Sequence, residues 1–179
     1  MNSARLVFLR IALCLLPLLA GTQAWSASVT WFSAGGRYHT GLEKFEDYPF
    51  RSGDISYQVG MEFHEGIGYW QLVLGYAPSV GENSDPDAPR IDSVITPQLN
   101  LLLQDRGWLA GTGILASYIK DENEKDWTSI YWQTMIGYTF NFQYFNLEVL
   151  ATHVFEEWSF FTDFSFNRLE YSAMLKRRF

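Results

Sequence analysis

The sequence predicts an all-β protein, an eight-stranded antiparallel transmembrane up-and-down β-barrel. Three observations lead there. Eight strand-like runs alternate apolar with polar residues, the segments joining them alternate strictly between long and short, and aromatic residues gather towards the ends of the apolar faces. Spanning strands need about 9–11 residues, well above the 5–6 of an ordinary strand, and the runs fit that length. A soluble β-sandwich would also alternate, but it would rarely sort its loops by length to one end.

The first element is a leader. In "MNSARLVFLRIALCLLPLLAGTQA" Arg5 precedes an apolar stretch interrupted by Arg10, and small residues follow Pro17. This layout fits a secretory signal peptide over residues 1–24, with Thr22-Gln23-Ala24 at the cleavage site. The uncharged stretch 11–20 is about half of the roughly 20 residues a spanning helix needs. The one cysteine, Cys14, lies inside the leader, and Leu13 before it does not suit a lipoprotein signal. Residues 25–179 therefore carry no thiol or disulfide chemistry. Without Arg5 and Arg10 the chain has 11 basic and 20 acidic side chains, a net charge of −9, which argues against a nucleic-acid partner.

Residues 25–179 read as one barrel domain. The runs cover 27–38, 54–64, 67–78, 91–104, 108–119, 128–142, 144–155 and 168–179. In the second, Ile55, Tyr57, Val59, Met61 and Phe63 oppose Asp54, Ser56, Gln58, Gly60, Glu62 and His64. In the fourth, Ile91, Ile95, Pro97, Leu99, Leu101 and Leu103 oppose Asp92, Thr96, Gln98, Asn100 and Gln104. In the sixth, Ile130, Trp132, Ile136, Tyr138, Phe140 and Phe142 oppose Ser129, Tyr131, Gln133, Thr139 and Asn141. Period-two alternation gives each strand one oily and one wet face. The glycine-rich first and fifth runs, "SVTWFSAGGRY" and "WLAGTGILASYI", have no assignable faces. Segments 39–53, 79–90, 120–127 and 156–167 are long and acidic, whereas "HEG", "DRG" and "FQY" are tight turns.

The final run, "LEYSAMLKRRF", sets Leu169, Tyr171, Ala173, Leu175 and Phe179 against Glu170, Ser172, Met174, Lys176 and Arg178. It resembles the terminal signature of bacterial outer-membrane proteins, a last Phe with an aromatic eight residues earlier (here Tyr171 and Phe179). The resemblance implies recognition by the barrel-assembly machinery and location in the outer membrane. Arg177 departs from the apolar pattern, at a rim where a long side chain can snorkel. Over residues 25–179 the chain resembles small eight-stranded barrels of the OmpX and OmpA-transmembrane type.

With the apolar faces turned to lipid, the polar faces line a narrow lumen. Glu62, Glu148, Arg168, Glu170, Lys176 and Arg178 are expected there, joined by Asp54 and Asp92. Reflecting the last two strands about their loop brings Glu148 near Lys176. Buried charges must pair, and eight strands leave room for little beyond side chains, so the network is read as filling rather than as an ion path.

Catalytic candidates come from two further likenesses. "VITPQLNLLLQDRGWLAGTGILASYI", "LATHV" and "RLEYSAML" are similar in order to strands of the lipid A 3-O-deacylase family, whose resemblance implies a His-x-Ser pair with an acid on the next strand. His153 takes the histidine position, but Phe155 stands where the serine belongs, and His153 shares the outward row of Leu147, Val149 and Ala151 while Glu170 points inward. His153 thus reads as a lipid-facing histidine. His39 with Asp92-Ser93 resembles the order of residues in the lipid A palmitoyltransferase family, without its amphipathic N-terminal helix. No cofactor and no metal site is expected.

The loops hold 13 of the 20 acids. Asp121, Glu122, Glu124 and Asp126 in "KDENEKD", and Trp158, Phe160 and Phe161 in "WSFFTDFSF", are the expected points of contact with outer-membrane lipids, lipopolysaccharide or a surface protein partner. The expected function is non-catalytic, structural or surface-interacting, with a lipid A acyl-modifying enzyme as the alternative.

Overall fold

The computed structural model describes residues 29–40, 48–80, 91–121, 125–155 and 164–178. The leader, most of the long loops and Phe179 lie outside these, as do Glu122, Glu124, Trp158, Phe160 and Phe161.

Alternation becomes strand throughout. The elements are β1 (Val29–Tyr38), β2 (Ile55–Glu65), β3 (Gly68–Val80), β4 (Ile91–Asp105), β5 (Trp108–Leu115), β6 (Tyr118–Asp121), β7 (Lys125–Trp127), β8 (Tyr131–Asn141), β9 (Asn146–Phe155) and β10 (Leu169–Arg178). Neighbours pair antiparallel, and β1 pairs with β10 to close the ring. The wall has eight strands, because β5 and β6 form one interrupted strand along β4, and β7 pairs with β6 alone in a ribbon beyond the wall. Closure leaves no sheet edge in the wall itself.

The short turns follow from local chemistry. Arg106 and Gly107 both take positive φ between the paired Asp105 and Trp108, a type I′ hairpin. Gly66 alone does so between Glu65 and Gly68, the type II′ form. At the third turn the Phe142 N–H donates to the Phe145 carbonyl at 2.9 Å. All three lie at one end, called here the turn end; the long connections lie at the loop end.

The third long connection differs from its expected bounds. The chain stays extended to Asp121 and returns as β7, so Asp121 and Asp126 lie on a short ribbon, with Ile119 opposite Asp126. The strand breaks at Ala116–Ser117, where Ser117 N–H donates to Thr128 Oγ1 at 2.9 Å.

The barrel is inverted relative to a soluble fold. Val59 (56% exposed) and Ile136 (59%) stand outside with Trp70, Tyr76, Trp108 and Phe140, while Glu62 and Glu148 (both 0%) are sealed inside. The lumen itself is two-sided. Tyr69, Leu102, Leu109, Met135 and Leu150 form an apolar cluster nearer the turn end. Leu115, Tyr131 and Val154, and separately Phe50, Ala77, Val80 and Val94, do so nearer the loop end. Charged and amide side chains from β10, β1, β2 and the adjoining strands fill the rest.

Candidate functional site

At the turn end, Lys176 reaches from β10 to two carboxylates. Its Nζ lies 2.6 Å from Glu62 Oε1 and also pairs with Glu148 Oε2. Tyr69 sits between, donating its OH to Glu148 at 2.6 Å and accepting from Lys176 at 3.1 Å. His64 Nε2 lies 3.0 Å from Glu62 Oε2, its ring stacked on Tyr69. The register sets Lys176 opposite Asn146 and Met174 opposite Glu148, so the long lysine side chain spans one inward step to reach its acid.

Amides connect this cluster to a second one. Gln71 Nε2 donates to Glu62 at 3.0 Å and Glu148 at 3.1 Å. Asn100 Nδ2 donates to Gln71 Oε1 at 3.0 Å, and Gln133 Nε2 to Asn100 Oδ1 at 2.7 Å. Arg37 Nη1 then donates to Gln133 Oε1 at 3.1 Å and Gln98 Oε1 at 3.2 Å. A guanidinium only donates and a carboxylate only accepts, so every amide of this column must present its oxygen towards Arg37 and its nitrogen towards Glu62 and Glu148. Gly113 makes room for it, because a Cβ there would fall on the Asn100 side-chain oxygen.

Near the loop end three neighbouring strands converge. Arg37 Nε pairs with Glu170 Oε2 at 2.5 Å. The ladder between β1 and β2 continues past Tyr38, with His39 N–H donating to the Asp54 carbonyl at 2.9 Å. This turns His39 into the lumen, where Nδ1 lies 2.9 Å from Glu170 Oε1 and Nε2 lies 3.0 Å from Ser56 Oγ. Ionised Glu170 accepts only, so His39 Nδ1 carries a proton; in the neutral ring Nε2 then accepts from the Ser56 hydroxyl. Acid, histidine and serine thus form a directed relay, the polarity of a hydrolase triad.

A cap covers this relay. Phe50 stacks on His39 with ring centroids 3.8 Å apart and 7° between planes, and fills the slot of Ala77, Val80 and Val94. Tyr48 donates to Glu170 Oε1 at 2.9 Å and packs edge-on against Tyr131. Burial and the adjacent Glu170 carboxylate push the Tyr48 phenol well above the ordinary tyrosine range, which keeps it a donor.

The expected site residues are distributed unevenly. Glu62, Glu148, Glu170 and Lys176 lie in the lumen. Arg168 lies half-buried in the 3-10 turn Phe166–Arg168, N-capped by Ser165, immediately before β10. Arg178 stands exposed at the end of β10, where the wall outlasts the packed interior. Asp92 is also exposed, 3.8 Å from Lys120, because the β4–β6 register shifts between Ile91 and Ser93 and breaks the period-two extrapolation. Asp92-Ser93 therefore forms no set with His39. Asp54 is buried and accepts from the Arg51 N–H at 2.6 Å.

His153 keeps its outward row but is not lipid-facing. Phe164 stacks on it at 4.7 Å, the Ser165 N–H donates to its Nε2 at 3.0 Å, and it is 1% exposed. The chain returning to β10 covers it, which periodicity along β9 does not reveal. Tyr171 faces outward opposite Tyr38. Ser56, Gln98, Asn100 and Gln133 stood on the polar rows expected to line the lumen, without individual roles, whereas Arg37, Tyr48, Tyr69 and Gln71 were not singled out. The shared parity of Ser33, Arg37 and His39 was the available signal for β1.

No protein-family model matches the chain, and no curated protein matches it. Among solved structures it is similar to the N-terminal beta-barrel domain of Pseudomonas aeruginosa OprF, at 10% identity and a TM-score of 0.49, over 85% of this chain and 98% of that one.

Proposed function

We propose that the chain is a bacterial outer-membrane β-barrel with a structural or surface-interaction role. The observation that carries this reading is the inversion of the fold. Apolar and aromatic side chains cover the outside of a closed wall while Glu62, Glu148, Glu170, Arg37 and Lys176 are buried within it. A water-exposed surface gains nothing from such a band, whereas a bilayer requires it, together with closure of every backbone edge. The filled column leaves the lumen to side chains. Contact with outer-membrane lipid, lipopolysaccharide or a surface protein then falls to the outside and the loops, including the ribbon of Asp121 and Asp126 and the exposed Phe164 and Phe166. Assembly through the barrel-assembly machinery fits the outward Tyr171 on the last strand.

The test is membrane extraction joined to gel mobility. The expected protein sediments with outer membranes, resists a carbonate wash, and changes mobility on boiling. Release by carbonate with one mobility before and after heating would refute the reading.

A second reading, a lipid A acyl-modifying enzyme, is favoured by one observation, the Ser56–His39–Glu170 relay. Mass spectra of lipid A from cells with and without the protein test it. Loss of a hydroxyacyl mass or gain of a palmitoyl mass supports it, and unchanged spectra oppose it.

A further inference from the structure

We propose that Ser56, His39 and Glu170 form a latent acyl-ester hydrolase site inside the loop end of the barrel, closed by Tyr48 and Phe50. The inference rests on the membrane-barrel reading and gives the acyl-modifying alternative a site on the lumen side of the wall.

Position and polarity both fit. The three side chains come from adjacent strands, with Arg37 opposite Ser56 on β2 and Tyr38 opposite Tyr171 on β10, which sets His39 level with Glu170. All are at least 97% buried, at 2% exposure for Ser56, 1% for His39 and 3% for Glu170. Simple filling would be satisfied by any hydrogen-bonding trio. This one has the acid on Nδ1, the hydroxyl on Nε2, and the acid held by Arg37 and Tyr48 so that it stays an orienting anion. Arg37 Nη2 is buried and makes no hydrogen bond among the described residues. It is a spare cationic donor on the residue facing Ser56, suited to a developing oxyanion.

The cap shows what would bind. Phe50 and Tyr48 lie in two apolar slots, one of Ala77, Val80 and Val94, the other of Leu115, Tyr131 and Val154. Withdrawing them would leave an apolar space with the relay on its wall. A carboxylic ester whose acyl chain replaces the two rings suits that space.

In the open state Ser56 Oγ attacks the ester carbonyl carbon while its proton passes to His39 Nε2. The tetrahedral oxyanion collapses, the carbon–alkoxy bond breaks, and the alcohol leaves with the proton from His39. Water then attacks the acyl-enzyme with His39 again taking and returning a proton, which releases the carboxylic acid and restores Ser56.

The experiment uses the full mature chain folded in vesicles of phosphatidylethanolamine and lipid A. A biotinylated fluorophosphonate is the probe, and the labelled residue is located by mass spectrometry. Wild type should label slowly at Ser56. Phe50→Ala should label about 100-fold faster, since losing a buried phenyl's packing shifts the cap towards open by that order. His39→Gln in the Phe50→Ala background should lower the rate at least about 100-fold, and Ser56→Ala should abolish it. Tyr48→Phe, which keeps the packing and drops the bond to Glu170, serves if Phe50→Ala does not assemble; it should label faster than wild type. Release of fatty acid from the vesicles would identify a leaflet lipid as substrate. Turnover of p-nitrophenyl butyrate alone would identify a small ester.

Accessibility is read separately with a maleimide on Ser56→Cys, because the mature chain has no other thiol. Thiol labelling in the Phe50→Ala background without phosphonylation of Ser56 would overturn the relay. No thiol labelling would overturn the cap. A wild-type chain that fails to shift on boiling would instead defeat the membrane reading, independently of the relay.

Discussion

Replacing Lys176 by Met tests the turn-end cluster. The substitution conserves length and apolar stem but removes the one cation 2.6 Å from Glu62, its pairing with Glu148, and the donor to Tyr69 at 3.1 Å. Two fully buried carboxylates would then share Gln71, with His64 beside only one of them. Breaking a buried pair by removing one partner costs about 3–5 kcal/mol. Serving two acids places Lys176 in the upper half of that range, so the variant should lose about 4 kcal/mol, roughly a thousandfold in the folded-to-unfolded ratio. Urea titration of residues 25–179 in phospholipid vesicles, scored by the heat-modifiable band, measures it. Adding Glu148→Gln should recover about half of the loss, and adding Glu62→Gln as well should return the barrel to within about 1–2 kcal/mol of wild type, since a neutral filled site is close to isoenergetic with a paired one. A cost below about 1 kcal/mol for Lys176→Met alone, the scale of an exposed ion pair, would refute the reasoning. It would mean that water hydrates the cluster from the turn end.

Further outcomes follow from single contacts. Tyr69→Phe removes the OH between Lys176 and Glu148 and should cost about 1–2 kcal/mol in the same titration. Val59→Arg, placed mid-strand on the outer face, should cost about 2–4 kcal/mol if that face meets hydrocarbon; on a water-exposed surface the change would stay within about 0.5 kcal/mol. Gly137→Ala should lower the folded fraction by about 1–3 kcal/mol, because the new Cβ would fall on the Val149 backbone carbonyl. Asn100→Asp puts an acceptor where Gln71 Oε1 needs a donor and should cost about 3 kcal/mol, whereas a loss under 1 kcal/mol would argue against the oriented column.

Strand number and connection order were legible because the outward rows carry apolar residues that fix parity, as in Ile55 to Phe63. Where a run lacks them, parity is lost. "SAGGRY" offers glycine on both faces, and so Arg37 and His39, two members of the loop-end cluster, were not placed in the lumen by sequence alone. Asp92 was misplaced for a different reason, a register shift that no local composition signals. Contacts made by chain returning from loops were beyond reach altogether. Nothing in "LATHV" announces that Phe164 and Ser165 cover His153, and nothing in "EDYPFR" announces that Phe50 enters the barrel mouth. Periodicity reports which way a strand residue points, but not what later folds over it.

The direction of the amide column links the two ends of the lumen. Arg37 can only donate and Glu62 and Glu148 can only accept, so Gln133, Asn100 and Gln71 are held in one orientation between them. Reversing one amide would set N–H against N–H on one side and oxygen against oxygen on the other, each an unmade buried hydrogen bond. A proton could not traverse the column without turning every amide over, and an ion could not pass without parting it. The same column fixes the Arg37 side chain from below while Glu170 fixes it from the side, and Glu170 in turn orients His39 towards Ser56. The filled interior is therefore more than ballast. By immobilising the guanidinium it fixes the orientation of Glu170, and through it of His39 and Ser56, beneath Tyr48 and Phe50 at the loop end.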